Sequence, residues 1–504
     1  LIVECLGVAT KNPKYDRMAK EFTKLLVLAF SSTATFGAIL LFLLIGLYPK
    51  FTVYLAGIFS PTMYLYAFLF FGESFSLYLY YYSWERLSVN KTLHISFGVA
   101  LNFFGTVLMF IANAWLTFMM APKGVDPESG DLMNLWQAID NSLWWPINVH
   151  RLVANVAFGG SLAAAYAAFR FLGARTPEEA AHYDWMGYTS NFIAICALIP
   201  LPFAGYWLAG EIYSYSAQMG TILMGGSFSW LWIIQAILIG VLFIGANYYL
   251  WIGLGRIPGG ARYMKYILYM EVLLFTCVAI WMTPHTLVAS LVEARKIGAA
   301  HHPLLGVFGV MSAKNTVVNL IILTTFISFL LYRRANKRAT VSWARAGKAV
   351  QNAIFLMVAS VVLYYGVKGY FVPADVRIGY SVYQVLSVLS CIIAVTVVDL
   401  FLFIGAETMG TIRWGQMPSR SQYVLYLLAI TFTLLMGLMG FARSGIRMDW
   451  HVYGIMRDTT AHAFTPTLGY ATLVIAIVTV IFFSLISFVL WLDSFGEKKA
   501  KPAI

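Results

Sequence analysis

The sequence predicts an all-α protein, a polytopic membrane helical bundle of about 12 or 13 transmembrane helices. Of its 504 residues, 60% are hydrophobic and 11% are charged, whereas soluble domains carry about 25% charged residues. The apolar stretches are long enough to cross roughly 30 Å of hydrocarbon as helices. A backbone in lipid must form its own hydrogen bonds, and long unbroken apolar runs therefore favour helices over barrel strands.

Twelve segments of the chain have the length and hydropathy of a membrane span. They are predicted at 22–48, 53–82, 93–120, 148–172, 188–210, 228–254, 264–290, 314–333, 350–371, 380–406, 423–443 and 467–492. We expect a further helix upstream of Leu1, because the chain opens on an apolar stub that is too short to cross the bilayer. The loops are short, so no appended soluble domain is expected.

The loops alternate in charge along the chain. One set holds 23 of the 34 basic residues, at 10–24, 83–92, 170–187, 255–265, 333–348, 407–420 and the C-terminal tail. By the positive-inside rule this set faces the cytoplasm, and the loop 121–147 is external. The net charge of +12 therefore reflects membrane orientation and attraction to anionic lipid, and does not indicate a nucleic-acid surface. We expect a multi-pass protein of a prokaryotic inner membrane.

The four cysteines stand far apart and form no CxxC pair. The sequence therefore does not indicate a thiolate metal cluster or a covalently attached c-type haem. The cysteines are Cys5, Cys196, Cys277 and Cys391.

Histidines are concentrated on the predicted external, periplasmic side. His150 lies one turn inside a predicted span, in WWPINVHRLVANVAFGGS. A strip of small residues, Ala154, Ala157 and Ser161, follows on the same helical face, where a flat macrocycle has room beneath an axial imidazole. Ordinary helix packing explains the same strip equally well. Arg151, next in the chain, suits a haem propionate.

Glu73 is a carboxylate deep within a predicted span, in FLFFGESFSLYLYYYSWERL. Burying a charged carboxylate in the membrane is costly, so such a residue is a candidate for function by default. We predict a catalytic role for Glu73 as a proton relay. The alternative is a neutral acid that is hydrogen-bonded between helices.

The external segment 443–466 gathers arginines, histidines and aromatic residues. Arg447, Trp450 and His451 are predicted to bind a cofactor, because guanidinium groups and aromatic rings suit propionates. Contact of these cations with lipid phosphates is the alternative. For iron, His150 is the first candidate, with His285, His451 and His462 as further candidates. The adjacent pair His301 and His302 is a weaker metal site, because neighbouring residues on a helix point in different directions.

At these places the chain resembles subunit I of the cytochrome bd-type quinol oxidases, as a divergent member of that superfamily. The similar motifs are Glu73 with SWERL (83–87), IANAW (111–115), INVHRLVANVAFGG around His150, and IRMDWHVYGIMRDTT (446–460). The resemblance covers roughly 20–210 and 380–492. It implies that His150 ligates a low-spin haem b near the periplasmic face.

The chain also departs from the family pattern. Leu65 and Gly437 stand where the family has acids of the oxygen site, and Leu386 stands where a methionine faces the low-spin histidine. The large quinol-oxidising loop is absent, and residues 228–372 resemble four added helices. The resemblance therefore implies at least one haem b, while the departures argue against haem d or a second high-spin haem.

The predicted organisation has three parts. They are 1–210, which resembles the bd oxidase subunit and holds the haem b site; 211–372, added helices in place of the quinol loop; and 373–504, C-terminal bd-like helices.

The leading hypothesis is a haem-binding oxidoreductase subunit of a respiratory complex. It would transfer electrons from quinol or cytochrome c toward oxygen or another redox partner. Expected partners are other membrane subunits, the lipid bilayer and a periplasmic cytochrome c, with no nucleic acid. A secondary transporter and a haem-free membrane anchor are the alternatives.

Overall fold

A computed structural model describes residues 1–224, 228–283, 307–461, 463 and 468–499. These residues form sixteen α-helices and four short strands. The helices are α1 (Ile2–Thr10), α2 (Pro13–Leu47), α3 (Pro49–Tyr82), α4 (Lys91–Met120), α5 (Leu135–Ile139), α6 (Trp144–Leu172), α7 (Pro177–Leu198), α8 (Leu201–Tyr215), α9 (Ala217–Met224), α10 (Ser229–Gly253), α11 (Ala261–Met282), α12 (Met311–Arg334), α13 (Ala344–Lys368), α14 (Ala374–Leu402), α15 (Ser419–Gly445) and α16 (Leu468–Lys499). The strands are β1 (Lys337–Arg338), β2 (Glu407–Thr408), β3 (Trp450–Val452) and β4 (Met456–Arg457).

Within the described residues, 11 helical stretches are long and apolar enough to cross a membrane. They coincide with the first eleven predicted spans, and the all-α polytopic class is confirmed. The last predicted span, 467–492, lies on α16, whose apolar stretch is the shorter Ala476–Phe488.

One predicted loop is largely helical. Residues 170–187 were expected to connect two spans, but α7 begins at Pro177 and continues through most of that segment. Thr176 caps the helix by accepting a hydrogen bond from the Glu179 backbone N–H at 3.2 Å, and Pro177 suits the first helical position. The helix therefore begins before the apolar residues that defined the predicted span 188–210, because the local capping signal starts it at Pro177.

The chain divides into two compact units. Unit 1 comprises Leu1–Leu152, Ala204–Ser216 and Arg443–Ile504. In it α3 and α4 approach closely at glycines: a Cβ on Gly72 would lie 2.8 Å from the Phe104 ring. One apolar cluster joins α3 and α4 to β3 through Phe51, Phe118 and Val452. Strand β3 pairs antiparallel with β4.

Unit 2 comprises Val153–Phe203 and Ala217–Ala442. Its apolar core is formed mainly by α7 and α10 to α15, and α12 is the most enclosed span, with 67% of its apolar window buried. Buried ion pairs hold its helix ends: Arg256 pairs with Asp184, and Arg333 pairs with Asp399 at 2.8 Å. The predicted three-part division of the chain stays a prediction.

Candidate functional site

His150 lies in the second turn of α6, half-buried in unit 1. Its imidazole faces α8: a Cβ on Gly205 would lie 3.8 Å from both Cδ2 and Nε2 of His150. Among the described residues no side chain or backbone group forms a hydrogen bond with the His150 ring. The imidazole thus keeps a ring nitrogen for a ligand.

Arg151 is held by a buried network of asparagines. Its guanidinium donates a hydrogen bond to the Asn113 Oδ1, and Asn113 Nδ2 donates to Asn148 Oδ1 at 2.6 Å. Both asparagines are fully buried. Asn113 belongs to the IANAW motif, so the motif positions the cation next to His150. The sequence feature that would have predicted this network is the presence of two asparagines, Asn113 and Asn148, in two apolar segments.

Two further arginines extend this cationic group within unit 1. Arg443 is half-buried and lies near enough to Arg151 for their charges to repel. Arg447 is only 6% exposed; its Nη1 donates to the His451 carbonyl at 3.2 Å, and its Nε has no hydrogen-bond partner. Burial and the charge of Arg443 lower the pKa of Arg447 to about 10. Arg447 therefore remains a cation at neutral pH, and its burial is unfavourable without an anion.

None of these three arginines forms an ion pair with a carboxylate of the described residues. A buried cation without a counter-charge is unstable, and buried Arg447 together with the half-buried Arg151 and Arg443 indicates an anionic ligand. The residues therefore fit a haem: a nitrogen donor for iron lies beside guanidinium groups for two propionates. Leu386, in unit 2, is 52% exposed and carries no donor atom for iron.

The small-residue strip of α6 serves helix packing over part of its length. Ala157 is fully buried in the apolar core of unit 2, together with Ile195 and Leu198. Ser161 is buried as well, and its hydroxyl donates to the Ala157 carbonyl at 3.0 Å. At Ala157 the strip therefore contacts protein, as the alternative interpretation expected.

His451 and Trp450 lie on β3 of unit 1. The His451 ring stacks on Phe51 with centroids 5.0 Å apart, and its Nε2 lies 3.4 Å from Asp458. Burial lowers the pKa of His451, although Asp458 acts in the opposite direction. The Trp450 ring contacts the guanidinium of Arg457, 5.8 Å from its centroid. Both residues thus stabilise the hairpin, and their cofactor and metal roles stay predictions.

Four histidines proposed or considered as metal ligands fall outside the described residues: His285, His301, His302 and His462. Within the described part of the chain, no group of three or more histidine, cysteine or acidic side chains is arranged to hold a metal ion. A haem iron needs only one or two protein ligands.

Glu73 lies on α3, half-buried in unit 1. A Cβ on Gly105 of α4 would approach the Glu73 Oε1 to 2.7 Å, so the missing side chain makes room for the carboxyl group. No hydrogen bond or ion pair joins Glu73 to another described residue. This arrangement does not provide the hydrogen-bonded partner that the structural alternative requires. Leu65, two turns earlier, is 46% exposed.

A cluster that the sequence analysis missed surrounds Glu4 in α1. Glu4 and His94 are both fully buried, with His94 Nδ1 2.6 Å from Glu4 Oε1, and the Tyr80 hydroxyl donates to Glu4 at 2.5 Å. Burial alone would raise the pKa of Glu4, but the hydrogen bonds from His94 and Tyr80, with the charges of His94 and Lys91, hold it below its ordinary value. The sequence feature that would have predicted this cluster is Glu4 itself, because a carboxylate in an apolar segment needs a hydrogen-bond partner.

Residues 1–219 match the family model of cytochrome bd terminal oxidase subunit I. No curated protein matches the chain. The matched residues contain Glu73, SWERL, IANAW and His150, and the match indicates a respiratory oxidase subunit, an oxidoreductase of the terminal oxidase kind. The resemblance over 380–492 stays a prediction. Residues 1–219 are thus similar to the cytochrome bd terminal oxidase subunit I family, and the match confirms the resemblance carried by the motifs within them.

Proposed function

We propose that the chain is the haem-binding membrane subunit of a bd-like respiratory complex that transfers electrons from quinol or cytochrome c toward oxygen or another redox partner. The observation that carries this proposal is the group of three arginines, Arg151, Arg443 and Arg447, near His150 and without a carboxylate partner among the described residues. Haem b, when bound, supplies reversible one-electron chemistry.

The residues of the site would have distinct tasks. His150 would hold the iron through a ring nitrogen, and the three arginines would pair with the propionates. Their positive charge would also favour the reduced state, which carries one more electron. Asn113 would orient Arg151 through the hydrogen bond that it accepts.

Glu73 would supply a proton site at mid-membrane. Its carboxyl group faces the α4 backbone at Gly105 and has no fixed partner among the described residues. A carboxyl without a fixed partner can bind and release a proton without breaking an ion pair. We assign Glu73 the relay of protons that accompany electron transfer.

The surroundings of the chain follow from the same proposal. It would lie in a prokaryotic inner membrane with the His150 side toward the periplasm, since the basic loops favour the cytoplasm. Other membrane subunits would be its permanent partners. A periplasmic cytochrome c is the preferred donor, because the sequence lacks the family's quinol-oxidising loop.

A reduced-minus-oxidised spectrum of the purified protein tests the haem assignment. The wild type should show a b-type band, and His150→Ala should lose it while the protein still inserts into the membrane. Added imidazole should restore the band in His150→Ala, because it replaces the missing ligand. Full haem content in His150→Ala without imidazole would refute the assignment.

Oxygen uptake with two donors tests which molecule supplies the electrons and whether oxygen accepts them. We expect weak or no uptake with a quinol and faster uptake with a reduced cytochrome c. Rapid uptake with quinol would contradict the proposed donor. No uptake with either donor, in protein that shows haem b, would favour an electron-conducting subunit, and no haem at all would favour the transporter or the haem-free anchor.

A further inference from the structure

A cavity of about 460 Å³ opens in unit 1 where three helices end. Its lining residues follow the C-terminus of α4, precede and begin α6, and belong to the last turns of α8. Its charged and aromatic lining residues are Lys123, Asp140, Trp145, Trp207, Glu211 and Tyr215. The haem proposal uses none of these residues.

The position of the cavity matches the head-group layer of a bilayer. Helix α4 ends at Met120 and α6 begins at Trp144, and both are long and apolar enough to cross a membrane, so we expect the residues between them at the membrane surface. The aromatic side chains at the cavity are partly exposed, by 50% at Trp145, 42% at Trp207 and 39% at Tyr215. Tryptophan and tyrosine prefer this layer, since their rings are apolar and their N–H or O–H groups contact water.

The charges at the cavity form an unusual set. Asp140 and Glu211 provide two carboxylates and Lys123 provides one ammonium group. None of the three forms an ion pair with another described residue, and Glu211 accepts one long hydrogen bond, from Trp207 Nε1 at 3.3 Å. The wall of the cavity therefore presents two acceptor groups and one cation to a ligand.

We propose that this cavity binds the head group of a zwitterionic phospholipid with a primary ammonium, as in phosphatidylethanolamine. The lipid ammonium would donate hydrogen bonds to Asp140 and Glu211 and contact the faces of the tryptophans. The lipid phosphate would pair with Lys123. An anionic lipid such as phosphatidylglycerol lacks the ammonium, and the two carboxylates repel its negative charge.

Native mass spectrometry of the full chain in detergent tests the site. The probes are phosphatidylethanolamine and phosphatidylglycerol with identical acyl chains, added at equal concentrations. We expect the ethanolamine lipid to bind about tenfold more tightly, because charge-assisted hydrogen bonds distinguish the two head groups. The double variant Asp140→Asn/Glu211→Gln should lose this preference.

Glu128→Gln is the matched control, because Glu128 is exposed on the same loop and does not line the cavity. It should keep the preference of the wild type. Equal binding of the two lipids by the wild type would overturn the proposal, as would an unchanged preference in the double variant. Displacement of the ethanolamine lipid by a short-chain quinol at lower concentration would also overturn it and assign the cavity to a quinol. Haem content is not part of this test, so a failure here leaves the proposed function untouched.

Discussion

Arg447 and Arg457 lie ten residues apart in the segment 443–466, and their surroundings are opposite. Arg457 is exposed, and its guanidinium pairs with Asp449. Arg447 is buried, has an unpartnered Nε, and lies near the charge of Arg443. At the scale of single residues, the difference between a satisfied and an unsatisfied cation identifies the candidate anion site.

Arg447→Leu and Arg457→Leu therefore form a matched pair. Arg447→Leu should weaken haem binding by about tenfold, because a charge-assisted contact to a propionate is lost. It should also lower the midpoint potential, because a nearby positive charge favours the reduced state. Haem content per protein and a redox titration measure the two effects.

Arg457→Leu should leave both quantities nearly unchanged, since an exposed ion pair contributes little. Equal effects of the two substitutions would contradict the assignment of Arg447 to the site. An unchanged Arg447→Leu protein would contradict it as well.

At the scale of elements, the seam between α3 and α4 determines the environment of Glu73. Gly105 lets the two helices approach, and the Glu73 carboxyl fills the space that a side chain would take. Gly57, also on α3, has no atom within 4 Å of an added Cβ. The same substitution at these two glycines therefore has different consequences.

Gly105→Ala should displace the Glu73 carboxyl group, since an added Cβ would lie 2.7 Å from Oε1. The uptake of protons that accompanies haem reduction should slow by about one to two orders of magnitude, as in Glu73→Gln. Gly57→Ala is the control and should keep the wild-type rate. Normal proton uptake in both Gly105→Ala and Glu73→Gln would remove Glu73 from the relay.

Helix α1 is attached to α3 and α4 through Glu4. The folded state holds the pKa of Glu4 below its ordinary value of 4.5, so the unfolded chain binds more protons in acid. The stabilisation by Glu4 is therefore complete above about pH 4.5, and it is lost as the pH falls through the lower folded value.

Glu4→Gln should lower the free energy of unfolding by about 2 kcal/mol at pH 7, because it removes a charged partner from buried hydrogen bonds. The difference from the wild type should shrink in acid, and thermal unfolding in detergent at pH 7 and pH 4 measures it. Glu85→Gln, which alters an exposed pair with Lys20, should change little. A difference that is the same at both pH values would contradict the role of the Glu4 charge.

At the scale of the whole molecule, the alternation of basic loops predicts the topology. Glu128 lies in the predicted external loop and Thr340 in the predicted cytoplasmic one, and both side chains are exposed. In a variant without native cysteines, a membrane-impermeant thiol reagent applied to intact cells should label Glu128→Cys and spare Thr340→Cys.

Permeabilised cells provide the control, because both cysteines should then react. Labelling of Thr340→Cys alone in intact cells would reverse every assignment of sides made above, including the periplasmic position of His150.

Much of the fold could be predicted because membrane insertion is a local, compositional property. A run of apolar residues must be helical in lipid whatever surrounds it, so the spans and the class followed from hydropathy. Short motifs predicted the family resemblance that the match over residues 1–219 confirms. The early start of α7 was missed, since Thr176 and Pro177 act through capping and not through hydropathy.

The sequence by itself determined the membrane class, the spans, and His150, Arg151 and Glu73 as candidates. Only the tertiary structure decided which polar groups have partners. Glu4 and His94 are 90 residues apart in the chain and form a buried pair, whereas Arg447 remains without a carboxylate partner among the described residues. The physical reason is that the electrostatic energy of a buried group depends on the few atoms within about 4 Å of it, and long-range folding brings those atoms together.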